Sequence, residues 1–170
     1  MSKILLQTKE FLNNILLSSI RLLLLALFVP SIFVHELGHL AAAFLVGIHI
    51  ESLDIGEGEI KYDFFLRSVP FRLHKIPIGG GVLVKSDEKK YASWQVIFLL
   101  IAGLLMNLLI SLICFLMIKN PVGWIYGGIN LCFVIFSLCP ISGSDSYICY
   151  QILRGKVPEG MEQCDKVDND

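Results

Sequence analysis

The 170-residue sequence predicts an α-helical integral membrane protein: three transmembrane helices, with a small membrane-associated β region between the first and the second. Two observations carry this. Hydrophobic residues make up 55% of the chain against 17% charged, with a mean hydropathy of +0.69, which is a membrane protein's composition. The apolar residues also gather in long runs, each able to supply the ~20 residues that a helix needs to cross a hydrocarbon core. A net charge of −1 gives no electrostatic footprint for nucleic acid, so no nucleic-acid partner is expected and the lipid bilayer is the expected surrounding. The five cysteines contain no C-x-x-C pair and four lie in apolar segments, so they read as small buried hydrophobes.

Taken in order, residues 1–20 mix Lys3, Lys9 and Glu10 with Ile4, Leu5, Phe11, Leu12, Ile15 and Leu16, the pattern of an interfacial amphipathic segment. A membrane core is expected over 21–155. Its first span covers 22–48, with Pro30 predicted to kink or restart the helix and Ser31 placed to satisfy freed backbone groups. Between 50 and 91 short apolar runs alternate with Gly56, Gly58, Pro70, Pro77 and Gly79-Gly80-Gly81, which signals strands and turns held against the membrane surface. His49 and His74 lie there without ligand spacing and read as surface or interface residues. The second span covers 94–118, with Tyr91 and Trp94 as interfacial aromatics. Within it Ala102-Gly103 permits close helix approach, and Asn107 supplies a polar contact between helices. The third span covers 122–153 and is interrupted at Pro140-Ile141-Ser142-Gly143-Ser144-Asp145. A polar tail is expected over 156–170.

The chemistry concentrates in Val34-His35-Glu36-Leu37-Gly38-His39, an H-E-x-x-H sequence inside the first apolar run. Ionisable groups at membrane depth are costly and mark a functional site. On a helix, positions i and i+4 share one face, so His35 and His39 can both direct an imidazole nitrogen to one ion. Imidazole suits Zn²⁺, and two such ligands leave tetrahedral positions open for a further protein ligand and a water. Glu36, beside the first histidine, is placed to take that water's proton, as in helical H-E-x-x-H metalloproteases. Asp145 is the lone acidic residue between Glu88 and Glu159, and a carboxylate at such a depth needs a partner. It is the expected third metal ligand, a role compatible with capping the helix that restarts nearby.

Counting Lys and Arg gives three before the first span, seven between the first and second, one between the second and third, and three after it. With three spans the middle loop and the C-terminus share a side, and the positive-inside rule makes that side cytoplasmic. The expected setting is a multi-pass protein of a bacterial cell membrane, with loop 49–92 and the C-terminus cytoplasmic. At about 1.5 Å of helical rise per residue, His35, His39 and Asp145 then lie at similar depth.

Together these motifs resemble the site-2 protease family of intramembrane zinc metalloproteases. The resemblance runs from about Arg21 to Leu153. It is carried by His35 to His39, by Phe71-Arg72-Leu73-His74-Lys75-Ile76-Pro77-Ile78-Gly79-Gly80, by Ala102-Gly103-Leu104-Leu105-Met106-Asn107 and by the Pro140 to Asp145 segment. It implies hydrolysis of a peptide bond within the bilayer, with one Zn²⁺ per chain on His35, His39 and Asp145 and with Glu36 as base. The substrate it implies is a single-span membrane protein or a membrane-anchored peptide. Ser137, Asn107, Gly79 and Gly80 are the candidate substrate-binding residues, and Asn107 is equally a packing residue. Two positions depart from the family pattern: Ser146 follows Asp145 where glycine is usual, and Ser137 stands where asparagine is usual. They motivate an alternative, a catalytically inactive relative that binds transmembrane segments as an adaptor. The length leaves no room for a PDZ domain or a fourth span, so a minimal core is expected, with substrate choice made by the membrane face, the loop or a partner protein.

Overall fold

The computed structural model describes residues 2–66, 68–85, 91–142 and 144–156. The expected polar tail therefore falls, apart from its first residue, outside the described residues. Helix α1 (Ser2–Val46) is followed by strands β1 (Ile50–Leu66) and β2 (Val69–Val84) and then by helices α2 (Ser93–Met117), α3 (Pro121–Leu138) and α4 (Asp145–Leu153). Parts of α1, α2 and α3, over Glu10–Val46, Ser93–Met117 and Pro121–Leu138, are long and apolar enough to cross a membrane.

The 45 residues of α1 run without interruption through Pro30, so the N-terminal segment and the first span form one helix and no restart occurs. Proline removes the amide that would have donated to the Ala26 carbonyl, and the Ser31 hydroxyl goes to the next carbonyl of the helix and not to the freed one. Ser31 Oγ donates to the Leu27 carbonyl at 3.0 Å, and Asn130 Nδ2 of α3 donates to Ser31 Oγ at 3.1 Å. At its other end α1 stops at Gly47, whose φ of 74° lets the Ile48 amide reach back to the Ala43 carbonyl at 2.9 Å.

Strands β1 and β2 pair antiparallel, from Leu66 opposite Val69 to Ile50 opposite Val84. The register shifts repeatedly around Gly56 and Gly58, whose φ values of 91° and 90° only glycine adopts readily. Residues 53–55 consequently have neighbours on both sides, 80–82 on one and 71–73 on the other. Leu53, Ile55, Val69 and Phe71 turn inward onto Ile32 and Leu40 of α1, forming a core that fixes the sheet against the histidine-bearing helix. Tyr62, Phe64, Phe65, Ile76 and Ile78 face outward.

The third span is shorter than expected. Helix α3 ends at Leu138 because Cys139, preceding Pro140, is held in extended backbone (ψ 122°), and the chain resumes helix only at Asp145. Between α1 and α2, glycines permit near contact: a Cβ added at Gly38 would lie 2.5 Å from the Ala102 carbonyl oxygen.

Candidate metal centre

His35, Glu36 and His39 are buried in the C-terminal third of α1. Asp145 reaches them from the first turn of α4. The N-cap of that helix is Ser144, whose side chain accepts from the Tyr147 amide at 3.3 Å, so the Asp145 carboxylate is free of capping. Asp145 Oδ2 lies 3.1 Å from His35 Nε2 and 3.3 Å from His39 Nε2, and one ligand atom from each residue falls within 4.8 Å of the others.

The distances suit a small tetrahedral cation. Metal–ligand bonds of about 2.0–2.1 Å place adjacent tetrahedral ligands about 3.3 Å apart. The second nitrogen of each ring supports the same reading. His39 Nδ1 lies 2.8 Å from the Leu99 carbonyl; a carbonyl only accepts, so Nδ1–H donates and Nε2 is the nitrogen that faces Asp145. His35 Nδ1 meets the amide of Asn107, 3.3 Å from Nδ2, while Asn107 Oδ1 is buried without a hydrogen-bond partner among the described residues. Turning that amide over lets His35 Nδ1–H donate to Oδ1 and leaves Nε2 free to ligate. A carboxylate facing two ring nitrogens is satisfied by a proton or a metal ion between them, and two imidazoles with one carboxylate are a donor set that fits Zn²⁺. Leu99, Gly103 and Asn107 follow one another at four-residue spacing, so one face of α2 backs both imidazoles; a Cβ at Gly103 would lie 2.5 Å from His39 Nε2.

Glu36 is 4% exposed, and its Oε2 is buried without a hydrogen-bond partner among the described residues. Its carboxylate abuts the hairpin: a Cβ at Gly80 would be 2.9 Å from both Cγ and Oε1. A cavity of about 460 Å³, within the range of ligand sites, is bordered by these four residues, by Gly79–Val82 and by Phe133, Phe136 and Ser137. The structure thus gathers His35, Glu36, His39, Asp145, Ser137, Gly79 and Gly80 around one space, with Asn107 behind His35. Ser146 faces away from it, its hydroxyl donating to the Cys139 carbonyl at 2.9 Å, so the serine in place of glycine braces the break before α4. His49 stays apart, its amide donating to Tyr91 at 3.1 Å. The Leu99 carbonyl escaped sequence reading because a backbone acceptor carries no residue signal.

Residues 23–165 match the model of peptidase family M50. A Chlamydia trachomatis protein named provisionally as a zinc metalloprotease is 36% identical over 105 residues, which cover 49% of this chain and 17% of that protein. A Fusobacterium nucleatum protein with the same kind of name is 28% identical over 148 residues, 81% of this chain and 38% of its own length. A chloroplast membrane metalloprotease of Arabidopsis thaliana is 41% identical over 58 residues, 34% of this chain and 13% of that protein. The chain spans well under half the length of these relatives. With a family match over most of its residues and three apolar helices around the histidine pair, the chain belongs to peptidase family M50, the site-2 protease family.

Proposed function

We propose that this chain is an intramembrane zinc endopeptidase that hydrolyses a peptide bond within or near the transmembrane segment of a single-span membrane protein or a membrane-anchored peptide. The observation that carries it is the convergence of two imidazole nitrogens and one carboxylate beside Glu36, whose Oε2 has no hydrogen-bond partner among the described residues, in the last third of an apolar helix. His35, His39 and Asp145 would hold one Zn²⁺, which when bound polarises a carbonyl and makes water nucleophilic near neutral pH. Glu36 takes a proton from the attacking water as its oxygen adds to the peptide carbonyl carbon. The C–N bond then breaks, and Glu36 returns the proton to the departing nitrogen. The positive-inside balance supports a cytoplasmic loop 49–92 and C-terminus.

A helical peptide bond has its carbonyl hydrogen-bonded and shielded, so the substrate must unwind. The Gly79–Val84 edge borders the cavity and is suited to pair with an extended segment, with Ser137 donating a hydrogen bond from the opposite wall. Glycine at 79 and 80 lets that segment come close to Glu36. The double substitution Gly81→Pro with Leu83→Pro removes edge donors and is expected to abolish cleavage of a model transmembrane peptide while bound zinc is unchanged. Wild-type cleavage by this variant would refute the pairing.

The metal itself is tested by zinc content in detergent. Wild type should carry close to one zinc per chain, and Asp145→Ala should lose most of it together with cleavage. Absence of zinc from the wild type would overturn the proposal. Stoichiometric zinc without cleavage of any peptide tried would favour an adaptor that binds transmembrane segments.

A further inference from the structure

His74, read from sequence as a surface or interface residue, is held at both ring nitrogens. Nδ1 lies 2.8 Å from the Gly58 carbonyl and Nε2 2.9 Å from Asp54 Oδ1. Neither partner can donate, so both contacts are satisfied together only by the doubly protonated ring. Asp54 is in turn fixed through Oδ2, which accepts from the fully buried Ser52 hydroxyl. The imidazolium therefore bridges Asp54 and Gly58, the two sides of the bulge at Gly56, and ties both to β2. Gly56 is itself clamped there, since a Cβ on it would lie 2.3 Å from the Ile76 carbonyl oxygen.

Asp54 is also the strand neighbour of Gly81, and its carbonyl oxygen would be 3.1 Å from a Cβ on Gly80, the residue that abuts Glu36. A short path thus leads from His74 through Asp54 to the edge strand and the cavity, without touching a metal ligand. Two charged groups act on the imidazolium among the described residues. Asp54 of β1 attracts the imidazolium and Arg72 of β2 opposes it, while Glu36 is the charged residue of α1 that reaches β2, at Gly80.

We infer that His74 and Asp54 are positioning residues for the proposed reaction, and that their ionised pair holds the Gly79–Val84 edge at the height over Glu36 where a substrate strand can pair. This rests on the peptidase reading for its kinetic consequence but not for its structural one. The Asp54 hydrogen bond, followed by that to Gly58, holds His74 above the usual histidine value. For a group raised in the folded state, the stabilisation is complete below the ordinary histidine range and is lost as pH rises through the folded value. The edge should accordingly loosen on the alkaline side.

The test uses the full chain in detergent, reading amide hydrogen exchange of residues 79–84 against pH together with cleavage of a model transmembrane peptide and zinc content. In wild type, protection of the edge should fall as pH rises above about 6.5. His74→Ala should show the low protection at every pH, and Asp54→Asn, which keeps the shape but not the charge, should lose the pH step. For both variants KM should rise about three- to tenfold with kcat within about twofold, the loss of one charge-assisted hydrogen bond discounted for partial exposure, and zinc should be unchanged. His74→Ala with wild-type exchange and wild-type KM would overturn the inference, as would an unaltered pH step in Asp54→Asn. If wild type cleaves nothing, the peptidase reading fails, and the exchange data still decide whether the pair holds the edge.

Discussion

Glu36→Gln is expected to lower kcat for a model transmembrane peptide by about a thousandfold or more while leaving zinc at the wild-type level. The substitution keeps the shape and buried volume of the side chain, so the contact with Gly80 and the packing of α1 against the sheet persist. What it removes is the proposed proton acceptor. The carboxylate has a buried oxygen without a hydrogen-bond partner among the described residues, and it borders the same cavity as both histidines and Asp145. The amide of glutamine offers an oxygen of very low basicity and a donor nitrogen at that place, so it cannot accept the proton of the attacking water. Zinc should remain because His35, His39 and Asp145 and their supporting contacts are untouched. The check is single-turnover cleavage alongside metal analysis of the same preparation. Residual activity above about one tenth would assign the base elsewhere, since general-base catalysis is worth far more than tenfold; loss of zinc would make Glu36 a structural part of the metal site.

How much of this was legible in the sequence follows from how local each feature is. His35, Glu36 and His39 could be read because one turn of helix alone decides that i and i+4 share a face. Asp145 could be read because an isolated acid at membrane depth demands a partner, and the structure supplies it 110 residues away. The extent of α1 could not: whether Pro30 ends a helix depends on what packs around it, and here Ser31 and Asn130 join α1 to α3 at the next residue. The contacts of His74 were illegible for a similar reason. Its acceptors, Asp54 and Gly58, become neighbours only through the register shifts at Gly56, which no residue pattern announces. Ser144 and Ser146 illustrate the reverse, where short polar side chains beside an unavoidable proline find local backbone partners and leave the nearby carboxylate to the site.

Gly103→Ala should weaken zinc binding by about a hundredfold or more, an effect out of proportion to one methyl group. The added carbon would sit 2.5 Å from His39 Nε2, 2.7 Å from its Cε1 and 2.8 Å from His35 Cε1, so it competes for the space in which the two rings converge. The rings cannot simply retreat. His39 is tied through Nδ1 to the Leu99 carbonyl at 2.8 Å and His35 through Nδ1 to Asn107, and both anchors lie on α2 one turn to either side of Gly103. Either α2 moves out from α1, stretching both supporting hydrogen bonds, or a ring turns and takes its Nε2 away from Asp145. Supporting contacts of this kind are typically worth about 10- to 100-fold each in metal affinity, so disturbing two gives the expected loss. Gly128→Ala on α3 is the matched control: nothing lies within 4 Å of its added carbon, and alanine favours the helix by roughly 1 kcal/mol. Chelator competition on both variants, with circular dichroism to confirm helix content, separates the outcomes. Weakened zinc in Gly103→Ala with intact helices and an unaffected Gly128→Ala would place the effect at the metal centre. Equal affinity in all three would show that α1 and α2 can part without disturbing the histidines, and that the close approach at Gly103 is packing alone.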